Sequence, residues 1–242
     1  MNKVRKTAIV TGASRGIGAA IVRAFLERDF NVVANSRTIS RSTEVTASER
    51  VALVDGDIGE VATATRVLET VRARFGSLHA LVNNAGVLVA KPFTDYSASE
   101  VRTLLSTNIE GFLYITQLAI RQMLTQKTGG SIVSITAALA TNPVQGVDAS
   151  IAMLTKGGLE TITRQLAMEY ARANIRVNAV APGVVDTMLH AGASKAALAG
   201  RSPMGDAQSV RDVSDAVMYL TDAGMVTGDV LFVDGGAHLG RW

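Results

Sequence analysis

The sequence is marked first by what it lacks. It contains no cysteine, which excludes disulfides and thiolate metal sites. Its three histidines form no cluster with Asp and Glu at metal-ligand spacing, so we predict no catalytic metal. The formal net charge is only +3 and no basic run is present, which predicts no nucleic-acid partner. No apolar run is long enough for a membrane span or a signal peptide. We therefore expect a cytoplasmic protein without a membrane partner.

Glycine is plentiful, and its arrangement near residue 12 organises the chain. A short apolar run at Ala8, Ile9 and Val10 predicts a buried strand, and glycines follow at positions 12, 16 and 18. Apolar residues then recur at helical spacing, so a helix opens inside the glycine run. Glycine permits close approach of the backbone to an anion, and a helix N-terminus attracts phosphate. The pattern predicts a dinucleotide site, and its alternative is a turn that needs glycine only for geometry.

Strands and helices alternate along the rest of the chain without a linker. Further strands are predicted at residues 31–35, 51–54, 80–83, 131–135, 175–180 and 230–233. Amphipathic helices are predicted at 64–75, 98–125 and 150–171, and 38–49 reads as a polar loop or a stunted helix. Such alternation predicts one α/β domain over residues 1–242, with parallel strands and helices on both faces. Ligands of such sheets bind beyond the carboxyl ends of the strands.

Six motifs in order resemble those of one family over essentially the whole length. They are residues 11–18 (TGASRGIG), 57–58 (DI), 83–86 (NNAG), Asn108, 176–183 (RVNAVAPG) with Thr187, and 227–228 (TG) with 233–236 (VDGG). The sequence is thereby similar to the short-chain dehydrogenase/reductase family. The resemblance implies a single Rossmann-type, doubly wound domain with a seven-stranded, mostly parallel sheet.

The resemblance also implies the residues that bind a dinucleotide cofactor. They are Gly12, Ser14, Arg15, Gly16, Ile17, Gly18, Ser36, Arg37, Asp57, Ile58, Asn84, Ala85, Gly86, Lys156, Pro182, Gly183, Val185 and Thr187. For several of these residues, the alternative to cofactor binding is that they only form a turn at the end of a strand.

The choice of cofactor follows from the end of the second strand. An NAD site places a carboxylate there, but the sequence reads Asn35-Ser36-Arg37. Arg37 and Arg15 are suited to a 2′-phosphate, because a guanidinium donates two hydrogen bonds at once. We therefore predict NADP(H), and the alternative is two solvated surface arginines.

The family's Ser–Tyr–Lys set is incomplete in this sequence. Lys156 matches the family lysine, but Ala152 occupies the position of the tyrosine and Ala137 that of the serine, with Thr136 just before it. The chain is either a divergent member or an alanine variant. The unusual neighbourhood at 148–154 favours the divergent member.

We consequently expect a proton donor other than tyrosine. Lys156 is the leading candidate, acting directly or through a water linked to Asn108, and His190 is the second. Thr136 is expected to orient the substrate. Asn108 is alternatively a core residue that bridges two backbone segments, and His190 a surface residue. We predict no functional role for His79 and His238.

Two functions remain open on the sequence. The first is an NADP(H)-dependent oxidoreductase that transfers hydride to or from a small carbonyl, alcohol, imine or quinone. The second is an NADP(H)-binding sensor or assembly subunit without catalysis. Residues 187–205, rich in alanine, are expected to form the loop over the substrate.

Apolar residues beyond one helical stripe predict self-association. On the two long helices these are Ile120, Met123, Leu124, Ile151, Met153 and Leu154. They exceed what one sheet face is expected to cover, and exposed patches of this kind mark interfaces. We expect a homotetramer or at least a dimer, with residues 236–242 reaching a neighbouring subunit or forming a frayed end.

Overall fold

The computed structural model describes residues 5–186, 200 and 202–240. Seven strands in this part of the chain form one sheet, in the order β3-β2-β1-β4-β5-β6-β7, and every pair is parallel. The strands are β1 (Thr7–Thr11), β2 (Asn31–Ser36), β3 (Val51–Asp55), β4 (Ala80–Asn83), β5 (Gly130–Ile135), β6 (Ile175–Pro182) and β7 (Val230–Val233). The predicted strands and the Rossmann-type sheet are confirmed.

Helices cover both faces of this sheet. They are α1 (Gly16–Glu27), α2 (Val61–Phe75), α3 (Ala98–Leu105), α4 (Gly111–Gln126), α5 (Ser150–Tyr170) and α6 (Val210–Asp222). One apolar core lies under α1 and α6, and the other lies under α2, α4 and α5. The central strands are buried on both faces, which explains why their sequences are continuous apolar runs rather than alternating ones.

The order of the strands positions a cleft at one edge of the sheet. The chain runs from β1 in the middle outward to β3, then crosses to β4 on the other side of β1 and runs outward to β7, so the order reverses between β1 and β4. Helices following β1 and β4 therefore leave toward opposite faces and open a crevice at the carboxyl ends of these two strands. The glycine turn after β1 and the motif at 83–86 both lie at this edge.

The predicted long helix at 98–125 is interrupted. A π-helical segment, Ser106–Glu110, separates α3 from α4. One wide turn of this kind rotates the face that the following residues present. Asn108, within the segment, is buried at 2% exposure, and Gly111 lies so close to Ile58 that an added Cβ would meet its side chain at 2.7 Å. Periodicity alone did not reveal the interruption.

The residues predicted to be exposed on the two long helices divide into three groups, one of which, Ile151 and Met153, is half-buried. Ile120 and Met123 are buried at 5% and 1% exposure, so their prediction as surface residues is wrong. Both pack beneath α4 against the apolar core under α2 and α5. Leu124 and Leu154 are exposed at 42% and 65%. The free apolar surface is thus smaller than the sequence indicated.

In the described part of the chain, no helix combines the length and the apolar character that crossing a membrane requires.

Candidate active site

The glycine turn after β1 has the backbone geometry that an anion site needs. Gly12 and Gly16 adopt φ of 63° and 58°, values that residues with a Cβ rarely adopt. A Cβ on Gly18 would lie 2.2 Å from the carbonyl oxygen of Gly12. No side chain caps the N-terminus of α1 and no acidic residue lies in its first turn. The positive end of this helix dipole is therefore available to a phosphate.

Hydrogen bonds fix the motif at 83–86 against the glycine turn. The Asn84 side-chain amide donates to Thr11 O at 2.9 Å and to Gly12 O at 3.0 Å. The Thr11 hydroxyl oxygen in turn accepts from the backbone N–H of Ala85 at 3.0 Å. The two motifs, more than 70 residues apart, thus form one rigid edge of the crevice.

The loop after β2 lies beside the glycine turn, and each of the two segments carries one arginine. The Ser42 hydroxyl donates to Ser14 O at 2.6 Å, which holds the loop beside the glycine turn. Arg37 lies directly after β2 and Arg15 precedes α1, and both are exposed. No ion pair found in residues 5–186, 200 and 202–240 includes either guanidinium. Two uncompensated charges therefore flank the position that the sequence assigned to a 2′-phosphate.

Carboxylates in this region are engaged elsewhere. Hydrogen bonds from the Ser40 hydroxyl and from the Ser40 N–H lower the pKa of Asp55, so it stays an anion held by its own loop. Asp57, one of the residues predicted to bind the cofactor, accepts a hydrogen bond from Gly59 N at 2.9 Å. Ile58 beside it is buried.

Lys156 lies at the centre of the cleft. Its Nζ donates to Ile135 O at the end of β5 at 2.7 Å. Burial of the ammonium lowers the pKa of Lys156 to about 8. A Cβ on Gly86 would lie 3.2 Å from this Nζ and 3.4 Å from Asn108 Oδ1. The absence of a side chain at Gly86 thus leaves open space directly over the lysine.

Asn108 links the cleft to α5. Its Nδ2 donates to Val87 O at 3.0 Å and to Thr155 Oγ1 at 2.9 Å, and its Oδ1 accepts from Val87 N at 2.8 Å. The side chain therefore links the backbone at Val87 to the Thr155 side chain on α5. A water between Asn108 and Lys156 stays a prediction.

The two alanines predicted to replace the family tyrosine and serine lie on α5 and directly after β5. Ala152 lies on α5 one turn before Lys156 and is 1% exposed, and Ala137 follows the end of β5. The Thr136 hydroxyl is buried and donates to Val180 O at 3.2 Å. Thr136 therefore contacts β6 in this structure, and its role toward a substrate stays a prediction.

No tyrosine takes over the vacant position. The chain has four tyrosines. Tyr114 and Tyr170 pack against the core, Tyr219 is exposed on α6, and the Tyr96 hydroxyl donates to Val89 O at 2.7 Å. In the part of the chain that the structure describes, the Lys156 ammonium donates to Ile135 O and to no tyrosine.

The turn after β6 closes the other side of the cleft. Gly183 N donates to Val233 O at 2.9 Å, and a Cβ on Gly183 would lie 2.8 Å from Asp234 Cβ and from Gln208 Oε1. Pro182 and Val185 are buried on either side of this turn. Thr187 and His190 lie outside the described residues, as does most of the predicted substrate loop at 187–205.

Sequence reasoning missed an Asp–His pair after β7. Asp234 is 2% exposed, and its two carboxylate oxygens lie 3.0 and 2.9 Å from Nδ1 of His238. The same carboxylate accepts from Gly236 N at 3.0 Å and from His238 N at 2.8 Å. The imidazole stacks on Phe232 with centroids 4.2 Å apart. An Asp and a His four residues apart, directly after a strand, were the available signal.

Sequence reasoning also missed a buried acid. Glu160, one turn after Lys156 on α5, is 2% exposed. Desolvation raises the pKa of Glu160, while a hydrogen bond with Thr136 and the charge of Arg164 act in the opposite direction. As for metals, the described residues hold no group of three His, Asp or Glu able to bind an ion.

Comparison with known proteins places this geometry in context. The family model described as "Enoyl-(Acyl carrier protein) reductase" matches residues 12–238. A tropinone reductase homolog of Arabidopsis thaliana is 37% identical, with 95% of this chain and 92% of the relative covered. The 3beta-hydroxysteroid dehydrogenase 1 of Eggerthella lenta is 34% identical, with 97% and 94% covered. Carbonyl reductase family member 4 of Xenopus tropicalis is 32% identical, with 97% and 98% covered.

Solved structures agree with these relatives over nearly the whole fold. The 3-ketoacyl-(acyl-carrier-protein) reductase from Brucella melitensis, complexed with NADH, has a TM-score of 0.90 at 27% identity, covering 98% of this chain and 100% of that one. ElxO with NADP bound has a TM-score of 0.87 at 25% identity, with 98% and 100% covered. With the motifs assembled at one edge of the sheet, these matches establish that the chain belongs to the short-chain dehydrogenase/reductase family and is an oxidoreductase homologue.

Proposed function

We propose that the protein is an NADP(H)-dependent oxidoreductase that transfers hydride to or from a small carbonyl, alcohol, imine or quinone. The observation that carries the proposal is Lys156, whose Nζ meets the open space left by Gly86 at the edge of the glycine-lined crevice. Because burial of an ammonium costs free energy, a charge kept at this place supports a ligand site in the crevice. The relatives named above are reductases or dehydrogenases, which supports catalysis over a sensor.

The residues present fit a dinucleotide. Side chains at Gly12 and Gly18 would collide with the backbone around the glycine turn, a side chain at Gly86 would occupy the space over Lys156 Nζ, and the N-terminus of α1 is uncapped. The named structures include one with NADH and one with NADP, so the cofactor choice rests on this chain's residues. Arg15 and Arg37, free of ion pairs within the described part of the chain, support NADP(H).

The role proposed for the Lys156 ammonium is to stabilise negative charge on the substrate oxygen. Bound NADPH would supply the hydride, and negative charge would then grow on the substrate oxygen. A cation preorganised in a site that excludes water stabilises such charge more strongly than water does. With a pKa of about 8, Lys156 is charged in most molecules at pH 7, so the charge is present when needed. That Lys156 also gives the proton stays a prediction.

The test is NADPH oxidation with a fixed panel: hexanal, cyclohexanone, a cyclic imine and an ortho-quinone. We expect turnover of at least one compound, loss of that turnover in Lys156→Ala with cofactor binding retained, and tighter binding of NADPH than of NADH by fluorescence titration. The double change Ala137→Ser with Ala152→Tyr is the comparison. If the parent reduces nothing while this variant reduces the panel, the chain is a cofactor-binding protein without catalysis and the proposal fails.

We further propose that the protein is a homodimer or homotetramer through α4 and α5. Leu124 on α4 and Leu154 and Met168 on α5 are exposed at 42%, 65% and 79%. Unpaired apolar side chains on adjacent helices favour burial against a second copy. Light scattering should return a multiple of the 25.4 kDa chain mass, and a monomer mass would contradict the proposal. The cytoplasmic location stays a prediction.

A further inference from the structure

The two ends of α5 are held against the sheet by different kinds of contact. The C-terminal part enters an apolar core, where Ala167 is buried and Leu166 and Tyr170 pack against the cluster. Within the described residues, neither apolar core includes any residue from 150 to 165. The N-terminal part of α5, which carries Lys156, is therefore not anchored by either core.

Polar contacts connect this part of the helix to the end of β5. Lys156 Nζ donates to Ile135 O at 2.7 Å. One turn further along α5, the carboxyl of Glu160 forms a hydrogen bond with Thr136, the residue after Ile135. Residues four apart on a helix lie on the same face. Two side chains on one face of α5 thus engage two consecutive residues at the end of this strand.

The end of β5 is fixed on its other side by β6. Thr136 N donates to Val180 O at 2.8 Å, and the Thr136 hydroxyl donates to the same oxygen at 3.2 Å. Because the backbone N–H already satisfies Val180 O, the hydroxyl is able to turn toward the carboxyl of Glu160. Backbone bonds therefore hold the strand end within the sheet, and the contact between Glu160 and Thr136 ties that strand end to α5.

Thr136 is the group through which Glu160 acts. Glu160 is 2% exposed, and its Oε1 has no hydrogen-bond partner among the described residues. No ion pair found in residues 5–186, 200 and 202–240 includes Glu160, and Arg164 influences it only through its charge. The distance between α5 and the Ile135 carbonyl thus depends on the contact between Glu160 and Thr136.

We propose that Glu160 is a positioning residue that, through Thr136, holds the Ile135 carbonyl at the distance at which it binds the Lys156 ammonium. The inference rests on the proposed function, in which this ammonium stabilises charge on the substrate oxygen. Glu160 acts through Thr136 and not on the reacting atoms. Without this contact, Lys156 Nζ separates from Ile135 O and is hydrated, and its charge is no longer preorganised.

The test measures the pKa of Lys156 without substrate, by NMR of protein labelled with ¹³C-lysine, with the signal assigned by its absence in Lys156→Met. Glu160→Met keeps the approximate volume without the polar group, and Glu160→Gln keeps an amide that is able to donate to Thr136. We expect Glu160→Met to raise the pKa of Lys156 from about 8 to roughly 9 or above, because hydration favours the ammonium. Glu160→Gln should stay near the parent value.

The direction of the change separates positioning from two other roles. If Glu160 acts on Lys156 only through its negative charge, both variants lower the pKa of Lys156, because loss of a nearby anion disfavours the ammonium. If Glu160 only stabilises the fold, the melting temperature changes and the pKa of Lys156 keeps its parent value in both variants. Either result overturns the inference.

Thr163→Val is the matched control on the buried face of α5. Thr163 is 0% exposed, and its hydroxyl donates within the helix to Leu159 O at 2.7 Å. This variant should leave the pKa of Lys156 unchanged.

Thr136→Val removes the other half of the contact, so it tests the inference even if Glu160→Met does not fold. It should raise the pKa of Lys156 as Glu160→Met does. The double variant should show no further rise, because both changes remove the same contact. An unchanged pKa in Thr136→Val, or additive rises in the double variant, would overturn the inference.

Activity gives the second readout, with the panel compound that the parent turns over. We expect Glu160→Met to lower kcat by about 10–100-fold, since a small displacement of a preorganised group has effects of this size. NADPH affinity should be retained, and Glu160→Gln should restore kcat. With an active parent, an unchanged kcat in Glu160→Met overturns the inference and leaves the oxidoreductase proposal standing. If the parent binds NADPH and reduces no compound, the oxidoreductase proposal fails, and the pKa of Lys156 still decides whether Glu160 positions the ammonium.

Discussion

The two halves of the sheet contribute different kinds of groups to the dinucleotide crevice. On the side of β1–β4 the site is made of glycines, backbone bonds and exposed arginines. On the side of β5–β7 it contains the buried groups Lys156, Glu160 and Asp234. In the second half, the sequence predicts alanine in place of the family tyrosine and serine, at Ala152 and Ala137. We therefore expect cofactor binding to depend on close backbone packing, the helix dipole and the exposed arginines. We expect catalysis to depend on ionisable groups in a low dielectric.

The largest expected effect tests the close backbone packing of the glycine turn. Gly18→Ala places a Cβ 2.2 Å from a main-chain oxygen, which no side-chain rotation relieves. We expect NADP(H) affinity to fall by about 100-fold or more, since overpacking of this kind costs about 1–3 kcal/mol and also displaces the phosphate turn. Isothermal titration measures the loss.

The control for this change is Gly157→Ala on α5, where an added Cβ meets nothing within 4 Å. It should leave affinity unchanged and raise stability by up to about 1 kcal/mol, because alanine favours helix over glycine. Equal affinity in both variants would contradict the steric account.

The second prediction concerns the buried ammonium. The pKa of Lys156 falls from 10.5 to about 8 on folding, so between these values the unfolded chain binds more protons and stability rises with pH. Lys156→Met removes the penalty. Without cofactor, we expect a higher free energy of unfolding at pH 7, by up to roughly 3 kcal/mol, and a gain that vanishes toward pH 10.5.

Urea unfolding at several pH values measures this gain, with the exposed lysine in Lys127→Met as the control. A constant difference between parent and Lys156→Met at all pH values would refute the titration as its cause.

The third prediction concerns the exposed arginine that follows β2. Arg37→Ala should weaken NADP(H) binding by about 10–100-fold, since a charge-assisted hydrogen bond contributes about 1.5–3 kcal/mol. NAD(H) binding should not change, because it lacks the 2′-phosphate. Arg211→Ala, an exposed arginine on α6, is the control. An equal loss for both cofactors would mean that Arg37 does not contact the 2′-phosphate.

The smallest expected effect belongs to Glu160. Its raised pKa means that folding favours the neutral acid, so its contribution to stability is full below the unfolded pKa and is lost as pH rises through the folded one. Glu160→Gln keeps the shape without the charge. Its melting temperature should exceed that of the parent increasingly as pH rises from 4 to 8, whereas Glu169→Gln, on the exposed face of α5, should show no such trend. Parallel pH curves for parent and Glu160→Gln would exclude this effect.

The predicted strands show what the sequence was able to indicate. The β4 and β7 bounds agree with their apolar runs, and β6 extends two residues further, to Pro182. Parallel strands buried on both faces need continuous apolar residues, so their positions are written locally. The glycine turn is likewise local, because φ near +60° at Gly12 is a property of a few adjacent residues.

Other features depended on contacts between distant segments. Ile120 and Met123 looked like surplus apolar residues, and the core under α2 and α5 buries both. The π-helical turn puts Asn108 against Val87, an arrangement that no helical period contains. His238 acquired a neighbour in the turn Ala138–Ala140, about a hundred residues earlier in the chain.

The sequence by itself determined the family resemblance, the positions of the strands and the phosphate turn, since each follows from residue types within a short stretch or from motif spacing. Only the tertiary structure decided which side chains lie together at the carboxyl-terminal edge of the sheet. The ends of β5, β6 and β7 lie far apart in sequence, and parallel pairing brings them to one edge. Burial there lowers the pKa of Lys156 to about 8.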